Sequence, residues 1–213
     1  MEIFPAILVH SKEEFLDNIA AIHDVAKQVH IDIADGRFVP NTTWADPDVI
    51  QKLLPLDCEL HLMVEDPLKE FLRWKDVKQV KRVLAHVETT DLHTVIQMIQ
   101  KSGKEASVAV NADTSVSRAE TYLPYADGIL FMGIQPGFQG KQFASKVLEK
   151  INRFQRRRTT HFIEVDGGIN EETLPQIQKT GVDAVCIGSA VFKTGNPKEN
   201  FLRLKQLTKK AMT

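Results

Sequence analysis

The stretch HIDIADGRFVPN, residues 30–41, alternates polar and apolar side chains before it breaks into a glycine turn. Successive side chains of a β-strand point to opposite faces, so this alternation predicts a strand. His30 and Asp32 would then share one face, and Ile31 and Ile33 the other. An edge strand with one solvated face accounts for the pattern as well as a strand that carries a site. The rest of the chain decides between these two interpretations.

Short runs rich in β-branched residues recur from end to end of the chain, and amphipathic helical segments fill the gaps. The predicted strands are IFPAIL (3–8), VHIDI (29–33), CELHLM (58–63), RVLAHV (82–87), ASVAV (106–110), GILFM (128–132), FIEVD (162–166) and AVCIG (184–188). Regular alternation of strands and helices implies a parallel sheet, and eight such units close a (β/α)8 barrel. An open doubly wound sheet normally has a glycine-rich turn after its first strand, where this chain reads VHSKEEF. We therefore expect one α/β domain, a (β/α)8 TIM barrel over residues 1–213.

The composition excludes several classes of protein. The net charge of -1 indicates neither a nucleic-acid partner nor an anionic membrane surface. Cys58 and Cys186 lie far apart in apolar runs, which predicts small core residues in a reducing compartment rather than a disulfide. The N-terminus lacks the features of a signal peptide, and no run of about 18 apolar residues occurs. We expect a cytoplasmic protein with no membrane span.

Polar side chains collect at the carboxyl ends of the predicted strands, the end of such barrels where chemistry takes place. His30 and Asp32 lie on the second strand, His61 on the third, and Asp166 ends the seventh. A single strand histidine is usually a satisfied interior group, but four polar side chains in one barrel mouth are costly to desolvate without a common partner. Two imidazoles and two carboxylates suit one divalent metal ion, with zinc, iron(II), manganese or cobalt fitting better than magnesium.

Glycine-rich turns follow the last three predicted strands, with the sequences GIQPGFQG, DGG and GS. Glycines let backbone N–H groups approach an oxyanion closely, and a short helix after strand eight adds its dipole. A phosphate site after strands seven and eight is a recurring feature of these barrels. Each motif alone is explained by a tight turn, but three adjacent turns favour a phosphate site. The loop from Gly133 to Lys141 is also long enough to act as a lid.

The two aspartates suggest a reaction. Asp32 and Asp166 come from strands two and seven, so one could remove a proton alpha to a carbonyl and the other return it on the opposite face. That exchange inverts the carbon centre through a cis-enediolate. A metal that binds both oxygens of an α-hydroxyketone would stabilise this intermediate.

Several segments taken together resemble the ribulose-phosphate 3-epimerase family: HIDIADGRFVPN, LHLMVEDP, MGIQPGFQGKQF, EVDGGIN and IGSAVF. They occur in the family order and span nearly the whole chain. The resemblance implies a barrel that interconverts D-ribulose 5-phosphate and D-xylulose 5-phosphate, often as a homo-oligomer. It implies metal ligation by His30, Asp32, His61 and Asp166, with Asp32 and Asp166 as the catalytic acid/base pair. The implied phosphate contacts are Gly137, Gly140, Gly167, Gly168, Gly188 and Ser189.

Several pocket residues depart from the family pattern. Ala6 stands where the family has a serine that reaches the substrate, and Ala34 replaces a methionine near the metal. Gln135 and Gln139 replace an asparagine and a glycine of the lid. Ala34 is expected to open space in the pocket, beside Met63, so a larger ketose phosphate such as D-allulose 6-phosphate is an alternative substrate.

Two further functions compete with the epimerase. Related sugar-phosphate decarboxylases carry D-x-K-x-x-D after strand two, and this chain has Ala34 at the lysine position, which argues against that activity. A barrel that binds a sugar phosphate without turning it over is the other alternative, and the complete set of metal residues argues against it. His86 and Glu88 resemble a family H-x-E segment that would support the site from behind.

Overall fold

A computed structural model of the chain describes residues 1–138, 140–156 and 160–210, the side chain of residue 210 excepted. Over these residues eight parallel strands pair in chain order, and the last pairs with the first, so the sheet closes into a barrel. The strands are β1 (Glu2–Ile7), β2 (Gln28–Ala34), β3 (Asp57–Met63), β4 (Val80–His86), β5 (Glu105–Val110), β6 (Gly128–Met132), β7 (Phe162–Asp166) and β8 (Ala184–Ile187). The predicted (β/α)8 TIM barrel is confirmed.

Helices connect the strands and surround the barrel. They are α1 (Lys12–Ile22), α2 (Pro47–Leu53), α3 (Pro67–Trp74), α4 (Leu92–Lys101), α5 (Val116–Glu120), α6 (Lys146–Gln155), α7 (Leu174–Gln178), α8 (Ser189–Phe192) and α9 (Pro197–Lys210). A 3₁₀ turn over Leu123–Tyr125 follows α5. Within the described part of the chain, none of the helices combines the length and the apolar character needed to cross a membrane.

The alternation in residues 30–33 has the predicted consequence. Ile31 and Ile33 face outward into the apolar layer between the barrel and its helices. His30 and Asp32 alternate with them, so they point into the barrel, where both are buried. Strand β2 pairs with β1 on one side and β3 on the other, so it is not an edge strand.

Side-chain caps fix the starts of the first three helices. The N-cap residues Ser11, Asp46 and Asp66 each accept a backbone N–H, at 3.1, 3.1 and 2.9 Å. Pro47 and Pro67 follow two of these caps at the start of the helix, where their fixed φ suits a first turn. Each cap satisfies a backbone N–H that the first turn of a helix leaves without a partner.

The barrel interior is unusually polar for a protein core. Phe4, Leu84, Leu130 and Met132 form part of an apolar cluster inside the barrel. Buried charged residues share the same space: His30, Asp32, Glu59, His61, Arg82, Glu164 and Asp166. Because buried polar groups need partners, each of these side chains is expected to bind another polar group or an ion.

Candidate metal and catalytic site

Four side chains that the sequence singled out converge inside the carboxyl end of the barrel: His30, Asp32, His61 and Asp166. One ligand atom of each lies within 4.8 Å of the others. His61 Nδ1 is 3.0 Å from Asp32 Oδ1 and 3.8 Å from Asp166 Oδ2, and His30 Nε2 is 3.4 Å from Asp32 Oδ1. The structure therefore brings together the residues predicted to bind a metal.

Strand register produces this cluster. Asp32 of β2 is the partner of His61 of β3 in the ladder, and Asp166 is the last residue of β7. His30 precedes Asp32 by two residues, so both side chains lie on the inner face of one strand. The cluster is built on strand backbone rather than on loops, which fixes its geometry.

The chemistry of the cluster fits a divalent cation. His30 Nε2 is buried and has no hydrogen-bond partner among the described residues, a costly state unless something binds it. Burial, assisted by the nearby His86, lowers the pKa of His61, so this ring is neutral, the form that ligates metals. A cation would also offset the charge of two adjacent carboxylates. The donor set fits zinc, iron(II), manganese or cobalt.

A small cavity lies over the cluster. Its volume is about 20 Å³, and its walls include Asp32, Asp166, Ala6 and Met63. Both carboxylates face this cavity, whereas the imidazoles of the cluster stand behind them, completely buried. A molecule in the cavity would therefore meet the two aspartates first.

The two aspartates differ in proton affinity. Burial raises the pKa of Asp32, but the adjacent imidazoles of His30 and His61 outweigh burial and lower that pKa well below its usual range. Burial raises the pKa of Asp166 to about 6, and the charge of Asp32 acts in the same direction. At neutral pH Asp32 is ionised, while Asp166 takes up a proton close to neutrality.

A chain of hydrogen bonds leads away from His61. His61 Nε2 is 2.9 Å from His86 Nε2, and His86 Nδ1 is 3.2 Å from Glu88 Oε2. Burial raises the pKa of Glu88, but the hydrogen bonds of His86 and Thr114 outweigh it and lower the pKa to about 2. An ionised Glu88 accepts from His86, which leaves His86 Nε2 as the acceptor for His61. His61 then keeps its Nδ1 lone pair toward the aspartates.

Glu59 is a site residue that the sequence interpretation missed. Its Oε1 lies 2.7 Å from His30 Nδ1, and both residues are completely buried. The alternation of CELHLM contains the signal, because Glu59 and His61 are two residues apart and share the inner face. Asn41 was also missed: its Nδ2 donates to Gly137 O at 2.7 Å and joins the loop after β2 to the predicted lid.

The predicted phosphate-binding residues line the same cavity: Gly137, Gly140, Gly167, Gly168, Gly188 and Ser189. Gly167 has φ +96°, and a Cβ there would lie 2.4 Å from Ile134 Cγ1, so the position requires glycine. A Cβ on Gly140 would lie 3.5 Å from Lys193 Nζ, so a cation stands beside these turns. Gln139 of the lid lies outside the described residues.

The three pocket residues of the prediction have different positions. Ala6 and Met63 line the cavity. Ala34 instead is buried in a small apolar cluster with Val39 and Met63, and Phe38 packs against that cluster. The predicted extra room beside Ala34 is therefore occupied by neighbouring side chains, and Ala34 stands behind the wall of the cavity.

Comparison with known proteins agrees with this geometry. The family model for the ribulose-phosphate 3 epimerase family matches residues 2–192. A ribulose-phosphate 3-epimerase of Aquifex aeolicus is 33% identical over 201 residues, covering 91% of this chain and 90% of that protein. One of Mycobacterium tuberculosis (strain H37Rv) is 34% identical over 205 residues, covering 92% and 87%.

Solved structures with much lower sequence identity share the fold. A 3-hexulose-6-phosphate synthase from Salmonella typhimurium superposes with a TM-score of 0.76 at 16% identity, covering 99% of each chain. KGPDC from Streptococcus mutans, in complex with D-R5P, gives 0.77 at 11% identity, covering 98% of this chain and 97% of that one. These likenesses concern the barrel alone. The family model and the relatives with one third of their residues identical establish more: the chain belongs to the ribulose-phosphate 3-epimerase family.

Proposed function

We propose that this protein interconverts D-ribulose 5-phosphate and D-xylulose 5-phosphate: one of Asp32 and Asp166 removes a proton from the reacting carbon, and the other adds a proton to its opposite face. One observation carries the proposal: the carboxylates of Asp32 on β2 and Asp166 on β7 face one cavity, and their pKa values are shifted in opposite directions. An epimerase needs a base on one side of the reacting carbon and an acid on the other. Paired groups whose surroundings separate their pKa values are the usual sign of such an assignment.

In one direction, the ionised Asp32 removes the proton from the carbon next to the ketone. Asp166, the other residue of the pair, delivers a proton to the opposite face. In the reverse direction the two residues exchange roles. Each carboxylate needs a free oxygen toward the cavity, and the partial exposure of both side chains, 5% and 11%, supports this arrangement.

His30, Asp32, His61 and Asp166 would hold one divalent metal ion. When bound, the ion supplies positive charge that stabilises the developing negative charge on the substrate oxygens. Zinc, iron(II), manganese and cobalt suit the donor set. His86 and Glu88 hold His61 with Nδ1 facing the aspartates, at the distances given above.

The glycine turns after β6, β7 and β8 would bind the phosphate group of the ketose. Their backbone has no Cβ to keep an anion at a distance, and their residues share a cavity wall with both aspartates. Lys193 adds positive charge beside Gly140. This arrangement would hold the phosphate at one end of the substrate and the reacting carbon at the other.

D-allulose 6-phosphate is a second candidate substrate, because Ala6 leaves the cavity wall without the hydroxyl that the family resemblance implies. Ala34 gives no support to the larger substrate, since other side chains pack around it. A sugar-phosphate-binding barrel without turnover is the non-catalytic alternative. A cytoplasmic location and a homo-oligomeric state remain predictions.

The test is epimerisation by purified protein that is stripped of metal and then reloaded with zinc, iron(II), manganese or cobalt. D-ribulose 5-phosphate and D-allulose 6-phosphate are compared as substrates. Asp166→Asn should lower turnover by about 10²–10⁴-fold, the usual contribution of one proton carrier. Asp113→Asn is the matched control, since Asp113 is an exposed residue paired with Lys146.

Turnover of the pentose phosphate that requires metal and is lost in Asp166→Asn would support the proposal. Turnover of the hexose phosphate alone would keep the mechanism and change the substrate. Bound metal without turnover of either compound would exclude the epimerase and favour a binding protein.

A further inference from the structure

Behind His30, on the side away from the cavity, lies a buried ionic cluster with Arg82 at its centre. Arg82 Nη1 donates to Glu59 Oε2 at 3.3 Å and also to Glu164 Oε1. Its Nε and Nη2 donate to Glu105 Oε2, at 2.9 and 2.5 Å. The side chains of Glu59 and Glu164 are 0% and 1% exposed. One guanidinium therefore joins carboxylates from three strands.

Glu59 connects this cluster to the metal-ligating residues. Its Oε1 lies 2.7 Å from His30 Nδ1, while its Oε2 accepts from Arg82 and, at 3.2 Å, from Gln28 Nε2. Both oxygens of Glu59 thus have partners, and its orientation is fixed from two sides. A buried carboxylate is costly unless it is paired, and the adjacent Arg82 provides the pairing charge.

These contacts dictate how His30 presents its ring. A carboxylate can only accept, so the hydrogen bond to Glu59 places a proton on His30 Nδ1. The lone pair of the neutral ring is then on Nε2, the atom that lies 3.4 Å from Asp32 Oδ1 and has no hydrogen-bond partner among the described residues. Cys186 Sγ lies 3.2 Å from the same Nδ1 and completes its surroundings.

We propose that Glu59, held in place by Arg82, is a positioning residue that fixes the tautomer and ring orientation of His30 for a divalent metal. The proposal rests on the proposed function, because it assumes that His30 ligates an ion. Carboxylates that hold a ligating histidine in this way typically contribute about 10–100-fold to metal affinity.

The buried residues around Glu59 do not form a second metal site. The ligand atoms of His30, Glu59, Glu164 and Cys186 also lie within 4.8 Å of one another. However, the Arg82 guanidinium already binds both glutamates, and His30 Nδ1 is engaged by Glu59. A second cation would have to displace this arginine, so we expect one metal ion per chain.

The experiment measures zinc or cobalt affinity of the full chain by competition with a chelator, together with metal stoichiometry. Glu59→Leu removes the acceptor and should weaken binding by about 10–100-fold. Glu59→Gln retains an acceptor oxygen for Nδ1 and should lose less. Glu105→Gln is the matched control: Glu105 also contacts Arg82, but its side chain is 55% exposed and does not contact His30. Its metal affinity should equal that of the wild type.

A second readout separates positioning from general damage. Nitrogen-15 NMR of the histidine rings in the zinc-loaded protein should show His30 with its proton on Nδ1, and this signature should disappear in Glu59→Leu. If Glu59→Leu fails to fold, the affinity and NMR spectrum of Glu59→Gln decide: an intermediate loss of affinity with the tautomer retained supports the proposal. An unchanged affinity in Glu59→Gln then overturns it.

Four results would overturn the inference: wild-type affinity in Glu59→Leu, an equal loss in Glu105→Gln, an unchanged His30 signature, or two ions per chain. These outcomes differ from failure of the proposed function. Wild-type protein that binds no metal refutes both proposals. Protein that binds metal and epimerises the substrate, but loses nothing on substitution of Glu59, refutes this one alone.

Discussion

At the scale of single residues, the two aspartates show how neighbouring groups give identical side chains different pKa values. Asp32 lies 3.0 and 3.4 Å from imidazole nitrogens of His61 and His30, whereas Asp166 is 3.8 Å from His61. The closer partners lower the pKa of Asp32, and the weaker contact leaves burial to raise that of Asp166. Differences of less than 1 Å in distance thus accompany opposite pKa shifts in the two residues of the proposed acid/base pair.

Metal affinity should therefore depend on pH. Asp166, whose pKa is about 6 in the metal-free protein, must lose its proton before it can ligate an ion. Burial lowers the pKa of His30, but neighbouring groups, including Asp32 and Glu59, raise it well above the usual value, so this ring also has a proton to release. Affinity should rise with pH from 5 to 7, by up to about tenfold per pH unit for each proton released. Chelator competition at several pH values measures this, and a flat profile would contradict it.

Ala6 offers a gain-of-function prediction. Ala6 lines the cavity, so the hydroxyl of Ala6→Ser would face the substrate. One added hydrogen bond contributes about 1 kcal/mol, or about fivefold in kcat/KM. We expect that increase for D-ribulose 5-phosphate in steady-state assays. Ala6→Val, which adds volume without a donor, is the control and should lower activity. A loss in both variants would show that the cavity tolerates no added atom there.

At the scale of elements, the sequence predicted the strands closely. The bounds of β6 and β7 agree with the prediction to the residue, and β4 begins two residues earlier, at Val80. Alternating or apolar runs between turn residues suffice for this, because a strand in a closed barrel has one face toward the helices and one toward the interior. The (β/α)8 fold and the family, with the epimerase that its motifs imply, are confirmed.

Partnerships between distant strands were harder to predict. The contact between His30 and Glu59, and that between Arg82 and Glu164, depend on the register of β2, β3, β4 and β7. No local pattern encodes register between strands that lie 82 residues apart in the chain. The convergence of the four residues predicted to ligate a metal could be foreseen only because all of them belong to the carboxyl ends of barrel strands. Their roles remain predictions.

The turn after β7 provides a prediction about stability. Gly167→Ala places a Cβ 2.4 Å from Ile134 Cγ1 at φ +96°, whereas Gly103→Ala, at φ +80°, meets nothing within 4 Å. Both substitutions pay about 1–2 kcal/mol for the left-handed backbone, and Gly167→Ala adds about 1–3 kcal/mol of overpacking. Urea unfolding should therefore rank Gly167→Ala as clearly the less stable. Equal losses would mean that the loop moves aside freely.

At the scale of the whole molecule, Arg82 joins distant parts of the barrel. It lies on β4, binds carboxylates on β3, β5 and β7, and places its guanidinium carbon 4.1 Å from the centre of the Phe162 ring. Side chains from four of the eight strands thus meet at a single buried guanidinium. Burying charged groups costs desolvation free energy, and the attraction between them offsets this cost only when every charge is paired.

Arg82→Met should destabilise the protein by about 3–5 kcal/mol, because it leaves buried carboxylates without their partner. The matched control is Arg73→Met: the Arg73 side chain is 52% exposed and pairs with Glu70 on the surface of α3. That substitution should cost about 0–1 kcal/mol. Denaturant unfolding of both variants measures the difference. A small effect of Arg82→Met would indicate that the glutamates become neutral without strain.

The cavity above the aspartates has a consequence for timing. A space of about 20 Å³ holds about one water molecule, far less than a phosphorylated sugar needs. We therefore expect each substrate to enter and leave by a displacement of the predicted lid at Gly137, whose carbonyl accepts a hydrogen bond from Asn41. Such movements set an upper limit on turnover, however fast the proton is transferred. Turnover should therefore fall as solvent viscosity rises, because a more viscous solvent slows the movement of this loop.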